Sequence, residues 1–528
     1  MEMRLPFFFF FFFFIFISFF TPSCSSSQAP PTEPAGDTNY WCSTTPHPDL
    51  CRRFARRSRP KCRAEFLLTA VEAALHRALH ARSHSRKLGR RCRSRHERAV
   101  WTDCSKLIDD TVLQLNTTFH GLKTNGSCTD LDAQTWLSAA LTNLETCRRG
   151  SGDLNLSDGF ILPLVSGNVS ELISNCLAIN GALVEQREDK DEGFPSWVSR
   201  SERKLLESSS SLQAKATVVV SKDGSGSFRS IQEAINRATA TKVGNGRIIV
   251  YVKRGVYSEN VDISRAVVNL TLVGDGLRNT IITGSRSVSM GYTTYSTATV
   301  GVDGFGFIAR GITFRNTAGQ EKGQAVALRS ASDLSVFYAC AFEGYQDTLF
   351  VQAQRQFFKS CVIYGTVDFI FGNAAVVFQN CNLYARKPLP GQANTITAQG
   401  RGDPFQNTGI SIQNSRILAA ADLTDDVQTY LGRPWQEFSR TAFLKCYMGS
   451  LVNPAGWSAW GDTNFAQDTL YYGEYKNFGP GASTDRRVNW PGYHVITDAT
   501  VAAEFTAANL IAGRTWLGST GVPFATGL

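Results

Sequence analysis

Apolar side chains recur at three- and four-residue spacing through the first third of the chain. The clearest segments are AEFLLTAVEAALHRAL, CSKLIDDTVLQLNTTF and AQTWLSAALTNLETC. This spacing places the apolar residues on one face of an α-helix. No stretch between residues 40 and 186 alternates as a strand does. The pattern therefore predicts an all-α domain over residues 40–186.

A polar segment follows over residues 187–215. It begins REDKDEGFPSWVSRSERKLLESSSS and is rich in charged residues and serine. Such a composition cannot bury a core and is typical of an exposed joint between domains. We expect a linker here.

From residue 216 to residue 528 the pattern changes to that of β-structure, because short apolar runs alternate with Gly, Asn and Asp turns. A Phe-x-x-Cys motif begins at Phe337, Phe358 and Phe378, at intervals of 21 and 20 residues, and again at Phe443, with a variant at Phe307-x-x-Arg310. A β-rich repeat of this length is the signature of a solenoid. We expect an all-β right-handed parallel β-helix. A β-sandwich or a propeller would explain the short strands but not the repetition.

The first residues have the pattern of an export signal. Arg4 precedes an apolar run from Leu5 to Phe20, and small residues follow, which predicts a signal peptide over residues 1–25. The run of 16 residues is short for a membrane span, which needs about 20. An uncleaved signal anchor is the alternative.

Cysteines and glycosylation sequons agree with a secreted protein. There are 13 cysteines, as expected along an oxidising route, and none is in a C-x-x-C pair, so we expect no structural zinc, no other metal and no cofactor. The predicted N-glycosylation sites are Asn116, Asn125, Asn155, Asn168 and Asn269.

The repeat also aligns two aspartates, since Asp347 and Asp368 are 21 residues apart, as are Gly344 and Gly365. Equivalent positions on successive coils lie roughly 4.8 Å apart, so the two carboxyl groups should be neighbours. Like charges this close push one pKa up. One residue type would then supply a protonated acid and an ionised nucleophile.

A carboxyl pair does not by itself choose a reaction. Glycosidases also use two carboxylates, and turn aspartates that bind backbone amides are the structural alternative. Serine-esterase chemistry has no support, because there is no G-x-S-x-G motif and His494 is the one histidine of the β region.

Several motifs of the β region resemble one family. GITFRNTAG, QAVALR, GYQDTL, YGTVDFIFGNAAVVFQNC, YLGRPW, GPGA and WPGYHVIT occur in the order found in plant pectin methylesterases (pectinesterases). The resemblance runs from about Thr217 to Leu528. It implies a secreted hydrolase of the plant cell wall that converts pectin and water to pectate and methanol. The alternatives are a pectin-chain hydrolase or lyase on the same fold, or a non-catalytic inhibitor-like binding protein.

The resemblance assigns roles to particular residues. Asp368 is the expected nucleophile, and Asp347 the expected proton donor and later base. Gln346 and Gln324 would stabilise the oxyanion, and Arg433 would hold Asp368 ionised. The residues expected to contact the substrate are Thr294, Gln324, Phe371, Arg433, Trp435 and Trp457.

The helical segment resembles the inhibitor-like pro-region that precedes many of these enzymes, so a four-helix bundle is expected. The resemblance implies the disulfides Cys42–Cys51 and Cys104–Cys147. In the β region it implies Cys340–Cys361, although Cys361–Cys381 fits equally well by spacing.

The linker contains RKLL, at Arg203, Lys204, Leu205 and Leu206, which resembles the site where a subtilisin-like protease cuts such precursors. We expect the pro-region to mask the cleft until cleavage. The other expected partners are methylated homogalacturonan and a separate proteinaceous pectinesterase inhibitor. We expect a monomer that binds no nucleic acid.

The charge is concentrated in one place. Between Arg52 and Arg98 there are 16 Lys and Arg against three Glu, in a chain whose net charge is +9. This density is higher than the family resemblance leads one to expect. It indicates contact with acidic pectin or an anionic membrane, or else a solvated helix face.

Overall fold

The computed structural model describes residues 37–56, 60–124, 128–157, 160, 168–185, 209–244 and 246–528. The predicted signal peptide, most of the linker, the RKLL segment and Asn125 lie outside the described residues. Among the helices that are described, none combines the length and the apolar character that crossing a bilayer requires.

The N-terminal part is helical. Four long helices pack around a core that includes Phe66, Leu115 and Leu144. Thr129 and Asp132 form a capping box at the start of one of them, which satisfies backbone N–H groups that the helix leaves free. The helices are α1 (Thr38–Ser43), α2 (Pro48–Ala55), α3 (Arg63–Leu88), α4 (Arg95–Lys123), α5 (Asp130–Asp153) and α6 (Val169–Glu185).

The two expected disulfides are present between described helices of the N-terminal part. Cys42–Cys51 joins α1 to α2, and Cys104–Cys147 joins α4 to α5. Both cysteine pairs are buried.

Within the described residues the β region forms three parallel sheets, of 11, 8 and 7 strands. The first sheet comprises Val218–Val220, Ile248–Val252, Leu270–Gly274, Ile308–Arg310, Ser335–Tyr338, Arg355–Lys359, Ala375–Gln379, Gly409–Gln413, Arg440–Leu444, Tyr471–Tyr475 and Tyr493–Val495. The second comprises Gly255–Ser258, Thr280–Gly284, Thr313–Asn316, Ala341–Glu343, Val362–Gly365, Asn382–Ala385, Arg416–Ala419 and Tyr447–Met448. The third comprises Val261–Ile263, Val300–Val302, Leu328–Ser330, Leu349–Val351, Ile370–Gly372, Asn394–Gln399 and Thr429–Gly432.

Each complete coil contributes one strand to each sheet, so the chain winds as a parallel β-helix, and the predicted fold is confirmed. Short helices border the β-helix at Ser209–Ala214, Ile231–Ala240, Ala499–Ala503, Ala507–Leu510 and Gly513–Trp516.

The phenylalanine repeat marks the register of the coils. Phe337 pairs with Phe358 and Phe358 with Phe378, and their rings stack at 4.5 and 4.6 Å. The same register continues along the sheet, because Phe378 pairs with Ile412 and Ile412 pairs with Phe443. The Phe307-x-x-Arg310 variant is out of register, because Ala309 is the residue that pairs with Phe337.

The predicted disulfide Cys340–Cys361 is wrong. Both cysteines are free thiols, as is Cys381. In-register side chains of a parallel sheet point the same way, and here the thiols turn to main-chain carbonyl oxygens. Cys361 Sγ donates to the carbonyl of Phe337 at 3.3 Å and Cys340 Sγ to that of Tyr338 at 3.5 Å. Burial raises the pKa of the Cys340 thiol to about 12.

Each coil turns through residues in the left-handed backbone region. Ala339, Ser360 and Asn380 have φ of 49°, 53° and 58° at equivalent corners of successive coils. Asp347 and Asp368, at the corner leading into the third sheet, have φ of 59° and 51°. Non-glycine residues adopt this region at a cost, and such residues concentrate at functional sites.

Candidate active site

The two aspartates lie where the repeat predicts. Leu349 pairs with Ile370, so Asp347 and Asp368 occupy equivalent positions on adjacent coils. The backbone N–H of Asp347 donates to the carbonyl of Val367 at 3.1 Å, which holds the two corners one strand spacing apart. Both side chains are buried, with 7% and 6% of their surface exposed.

Asp368 is held in an ionic fork. Arg433 Nε donates to its Oδ1 at 2.8 Å and Arg433 Nη2 to its Oδ2 at 2.6 Å. Bidentate pairing of this kind is the strongest form of charge-assisted hydrogen bond in proteins. Arg433 follows Thr429–Gly432, two coils beyond Asp368 on the third sheet.

Thr395 supports Asp368 from the intervening coil. Its hydroxyl donates to Asp368 Oδ1 at 2.6 Å and accepts from the Asp368 backbone N–H at 2.8 Å. One hydroxyl therefore fixes both the left-handed backbone and the carboxylate orientation. Sequence reasoning missed Thr395. The available signal was its place in the strand that follows the aspartate coil.

Asp347 has a different environment. Burial raises its pKa well above the ordinary value, and the charges of Asp368 and Asp153 add to this, while Arg433 opposes it. The arginine fork engages Asp368 and not Asp347. Asp347 is therefore the member of the pair whose protonated form is favoured. The pair can supply an acid and an ionised nucleophile, as sequence reasoning expected.

A cavity of about 270 Å³ opens over the pair. Gln324 and Gln346 lie in its wall beside the aspartates, with Thr294, Phe371 and Trp435. The structure thus brings together the predicted acid, nucleophile, arginine and glutamines with three of the predicted substrate contacts.

Aromatic rings form one side of this cavity. Phe371 stacks on Phe350 at 4.4 Å, and Trp435 meets both rings edge-on at 5.7 and 6.4 Å. Such faces suit the apolar side of a sugar ring.

The prediction that Trp457 contacts the substrate is wrong. Trp457 is 1% exposed, its ring stacks on Tyr472 at 4.0 Å, and it belongs to the β-helix core. Trp460, three residues further on, lines the cavity instead, and the Arg433 guanidinium lies 4.4 Å from its ring centre. Spacing in an irregular loop does not tell which of two tryptophans faces inward.

The end of α5 also lines the cavity. Thr146, Arg149, Gly150, Gly152 and Asp153 all contribute. Asp153 Oδ2 accepts from the backbone N–H of Thr294 at 2.8 Å, and the Arg149 guanidinium lies 5.8 Å from the Trp435 ring centre. The helical part thus places a third carboxyl group beside the aspartate pair, which sequence reasoning did not anticipate.

Hydrogen bonds and ion pairs occur along the interface between the helical part and the β-helix. Asp103 accepts from the hydroxyls of Thr293 and Ser296, and Asn373 Nδ2 donates to Thr142 at 2.9 Å. Ion pairs also join the helical part to the β-helix. These pairs are Lys106–Asp303 at 2.8 Å, Arg265–Asp110 at 2.5 Å and Arg355–Asp132 at 2.8 Å.

Four of the predicted glycosylation sites lie within the described residues. Asn116, Asn155 and Asn168 are exposed, and Asn269 is partly buried at a turn of the β-helix. The described residues contain no cluster of three or more His, Cys, Asp or Glu placed to hold a metal ion.

The fold and the site together define the class of this protein, a β-helix hydrolase built on an arginine-anchored aspartate pair. Residues 217–514 match the pectinesterase family, and residues 37–179 match the plant invertase/pectin methylesterase inhibitor family. The chain belongs to the pectinesterase family and carries an inhibitor-family domain before it, as the sequence motifs indicated.

Known proteins are similar in sequence to nearly the whole chain. The probable pectinesterase/pectinesterase inhibitor 59 of Arabidopsis thaliana is 54% identical and covers 92% of this chain and 93% of its own. Pectinesterase 2 of Citrus sinensis is 51% identical over 93% and 95% of the two chains. The solved structure of pectin methylesterase from carrot is 53% identical with a TM-score of 0.58, and covers 59% of this chain and 98% of its own.

Thr395 is a positioning residue whose role can be tested. We expect Thr395→Val to lower kcat by about ten-fold or more with little change in KM, because small misplacements of a reacting group are costly. Thr395→Ser should recover most of kcat. Steady-state methanol release measures both constants.

Thr397→Val is the matched control, since Thr397 lies two residues along the same strand and its hydroxyl donates to the carbonyl of Leu431 at 2.9 Å. An equal loss of kcat in Thr397→Val would show that Thr395 acts only through fold stability.

Proposed function

We propose that this chain hydrolyses the methyl esters of homogalacturonan to pectate and methanol in the plant cell wall. The observation that carries the proposal is the pairing of a buried Asp347 with an Asp368 that Arg433 holds in a fork, inside an aromatic-walled cavity. Glycosidase activity has less support, because the family match is to pectinesterases.

The reaction begins at Asp368. Its carboxylate oxygen attacks the ester carbonyl carbon, and the carbonyl oxygen becomes an oxyanion. Gln346 and Gln324 donate amide hydrogen bonds to it, which stabilises charge where it develops. When the intermediate collapses, the bond to the methoxy oxygen breaks and Asp347 donates its proton, so methanol leaves.

The second half returns the enzyme to its starting state. Asp347, now ionised, takes a proton from water, and the resulting hydroxide attacks the acyl carbon of the anhydride between substrate and Asp368. The bond to Asp368 breaks, and a galacturonate carboxyl group is released. Asp347 is then protonated and Asp368 ionised, as before.

The main test is Asp368→Asn in the fragment that begins near Leu206. This fragment should fold alone, because 98% of the carrot chain aligns with 59% of this one. We expect methanol release from methylated pectin to fall by about 1000-fold or more, since the nucleophile is lost.

Asp422→Asn is the control, an exposed aspartate that pairs with Arg386 on the β-helix surface, and it should stay active. Methanol release that survived Asp368→Asn would contradict the mechanism. Shortening of the chain without methanol release would favour the chain-cleaving alternative.

In the uncleaved precursor the helical part masks the cleft. Asp153 occupies the cavity beside the aspartate pair, and Arg149 covers Trp435, the ring expected to contact a sugar. A subtilisin-like protease that cuts at Arg203–Leu206 would sever the connection and allow the domains to separate.

Blocking that cut should keep the enzyme closed. We expect the Arg203→Ala, Lys204→Ala double variant to remain uncleaved, inactive and inside the cell, as measured by immunoblot and methanol release in the medium. An exported, uncleaved form with full activity would contradict masking.

Separation of the domains should depend on pH. Burial raises the pKa of Asp103 and of Asp153, so the docked state holds protons that the separated state releases above the ordinary carboxyl pKa of about 4. Docking is therefore strongest in acid and weakens as the pH rises toward the raised values. Arg355 lies beside Asp132 and lowers the pKa of that carboxyl group. The contribution of Asp132 to docking therefore does not change over that pH range.

The measurement is the fraction of helical domain retained on the β-helix after cleavage at an engineered linker site, between pH 5 and 8. Asp153→Asn keeps an oxygen acceptor for Thr294 but cannot ionise, so it should flatten the profile. An unchanged profile would contradict a role for Asp153.

A further inference from the structure

Residues 76–98 form a surface that we call the basic corner. It consists of the second half of α3, the turn after it and the first turn of α4. It carries nine Lys and Arg and four His against a single acid, Glu97. The proposed reaction does not use it.

Three histidines form a row on one face of α3. His76, His80 and His84 are all exposed, and their rings follow one another at 5.6 and 6.5 Å. Four-residue spacing places them one above the other on the helix. Exposed Lys87 and Arg91 continue the same face.

Few of these charges are neutralised by the protein. In the part of the chain that the structure describes, Arg82 lies 3.9 Å from Asp109, and Glu97 accepts from the backbone N–H of Arg93. The same described residues offer no carboxylate partner to Arg77, Arg86, Lys87, Arg90, Arg91 or Arg95. Like charges this dense repel one another, so the surface is suited to an anionic partner.

The corner is built rigidly. Trp101 Nε1 donates to the carbonyl of Ser85 at 2.8 Å, and its ring lies so close to Gly89 that a Cβ there would be 2.3 Å from it. The Arg98 guanidinium lies 5.4 Å from the ring centre on α4. The cations are thus displayed on two clamped helices, which lowers the entropic cost of binding.

The corner also stays accessible while the helical part covers the cleft. The hydrogen bonds and ion pairs across that contact come from α4, α5 and α6, for example Lys106, Asn143 and Ser174. The described side chains of residues 76–95 contribute none of them. His96 is the member of the corner that approaches the β-helix, at Gly291.

We propose that the basic corner binds de-esterified homogalacturonan, the polyanion that the active site produces. The choice of partner rests on the proposed function. Each hydrolysed ester leaves a carboxylate, so a de-esterified stretch carries a row of negative charges, whereas methylated pectin is nearly neutral. The helical part that carries the basic corner would thereby attach to pectin that has already been processed.

A membrane is the less suitable partner. Helices that lie on bilayers present large apolar side chains beside their cations. On the basic corner the exposed large apolar residue is Leu79, and 38% of its surface is accessible. The surface is otherwise polar.

The test is binding of the full-length chain to polygalacturonate, measured by co-sedimentation over a series of salt concentrations. Highly methylated pectin and phosphatidylserine vesicles are the comparison probes. The charge-reversal variant changes Arg86, Lys87, Arg90 and Arg91 to Glu. The matched control changes four exposed cations of the β-helix to Glu, namely Arg229, Arg237, Arg278 and Lys387.

We expect the charge-reversal variant to bind polygalacturonate at least ten-fold more weakly with a shallower salt dependence, since salt screens exposed charges, and the control to bind as the unchanged chain does. Equal binding of both pectins, equal weakening in the control, or tighter binding to vesicles would overturn the proposal.

The proposed esterase activity and the proposed binding surface can be rejected independently of each other. Methanol release is measured on the fragment beginning near Leu206, which lacks the basic corner. Polygalacturonate binding without methanol release would reject the esterase and keep the binding surface, and the reverse result would reject the surface alone.

Discussion

The constraint on which the structure depends is the in-register hydrogen bonding of successive coils. Each residue of the β-helix is matched with the residue one coil away at a strand spacing. This stacks Phe337, Phe358 and Phe378 in the interior, and it places Asp347 over Asp368 at the corner. The same geometry that buries the core therefore creates the like-charge pair, and burial in that position raises the pKa of Asp347 well above its ordinary value.

Register alone does not separate the roles of the two aspartates. Arg433 and Thr395 do so, because both contact Asp368 and leave Asp347 without an equivalent cation. Both are contributed by later coils of the same sheet. The asymmetry is thus a property of the stack, because the two coils that follow Asp368 supply both of these ligands.

The helical part uses the same corner as its docking point. Asp153 accepts a hydrogen bond from the backbone N–H of Thr294. Ion pairs from α4 and α5 extend the interface between the two parts. The charge of this third carboxyl group helps to raise the pKa of Asp347, so the masking proposed above would depend on acidity. Charges on the outer side of the same bundle are left unpaired, so its two faces have different roles.

Much of this protein can be predicted from sequence because its determinants are local or periodic. Helical spacing predicts the bundle, the Phe-x-x-Cys period predicts the β-helix, and the spacing of 21 residues predicts the aspartate pair, since a solenoid converts sequence distance directly into spatial distance. Where that conversion fails, prediction fails. Spacing places Cys340 next to Cys361 but does not say that their thiols turn to carbonyl oxygens, and it cannot choose between Trp457 and Trp460 in a loop. Only the tertiary structure brings Asp153 to the cleft, because that contact joins two separately folded parts whose surfaces, and not their local patterns, decide how they meet.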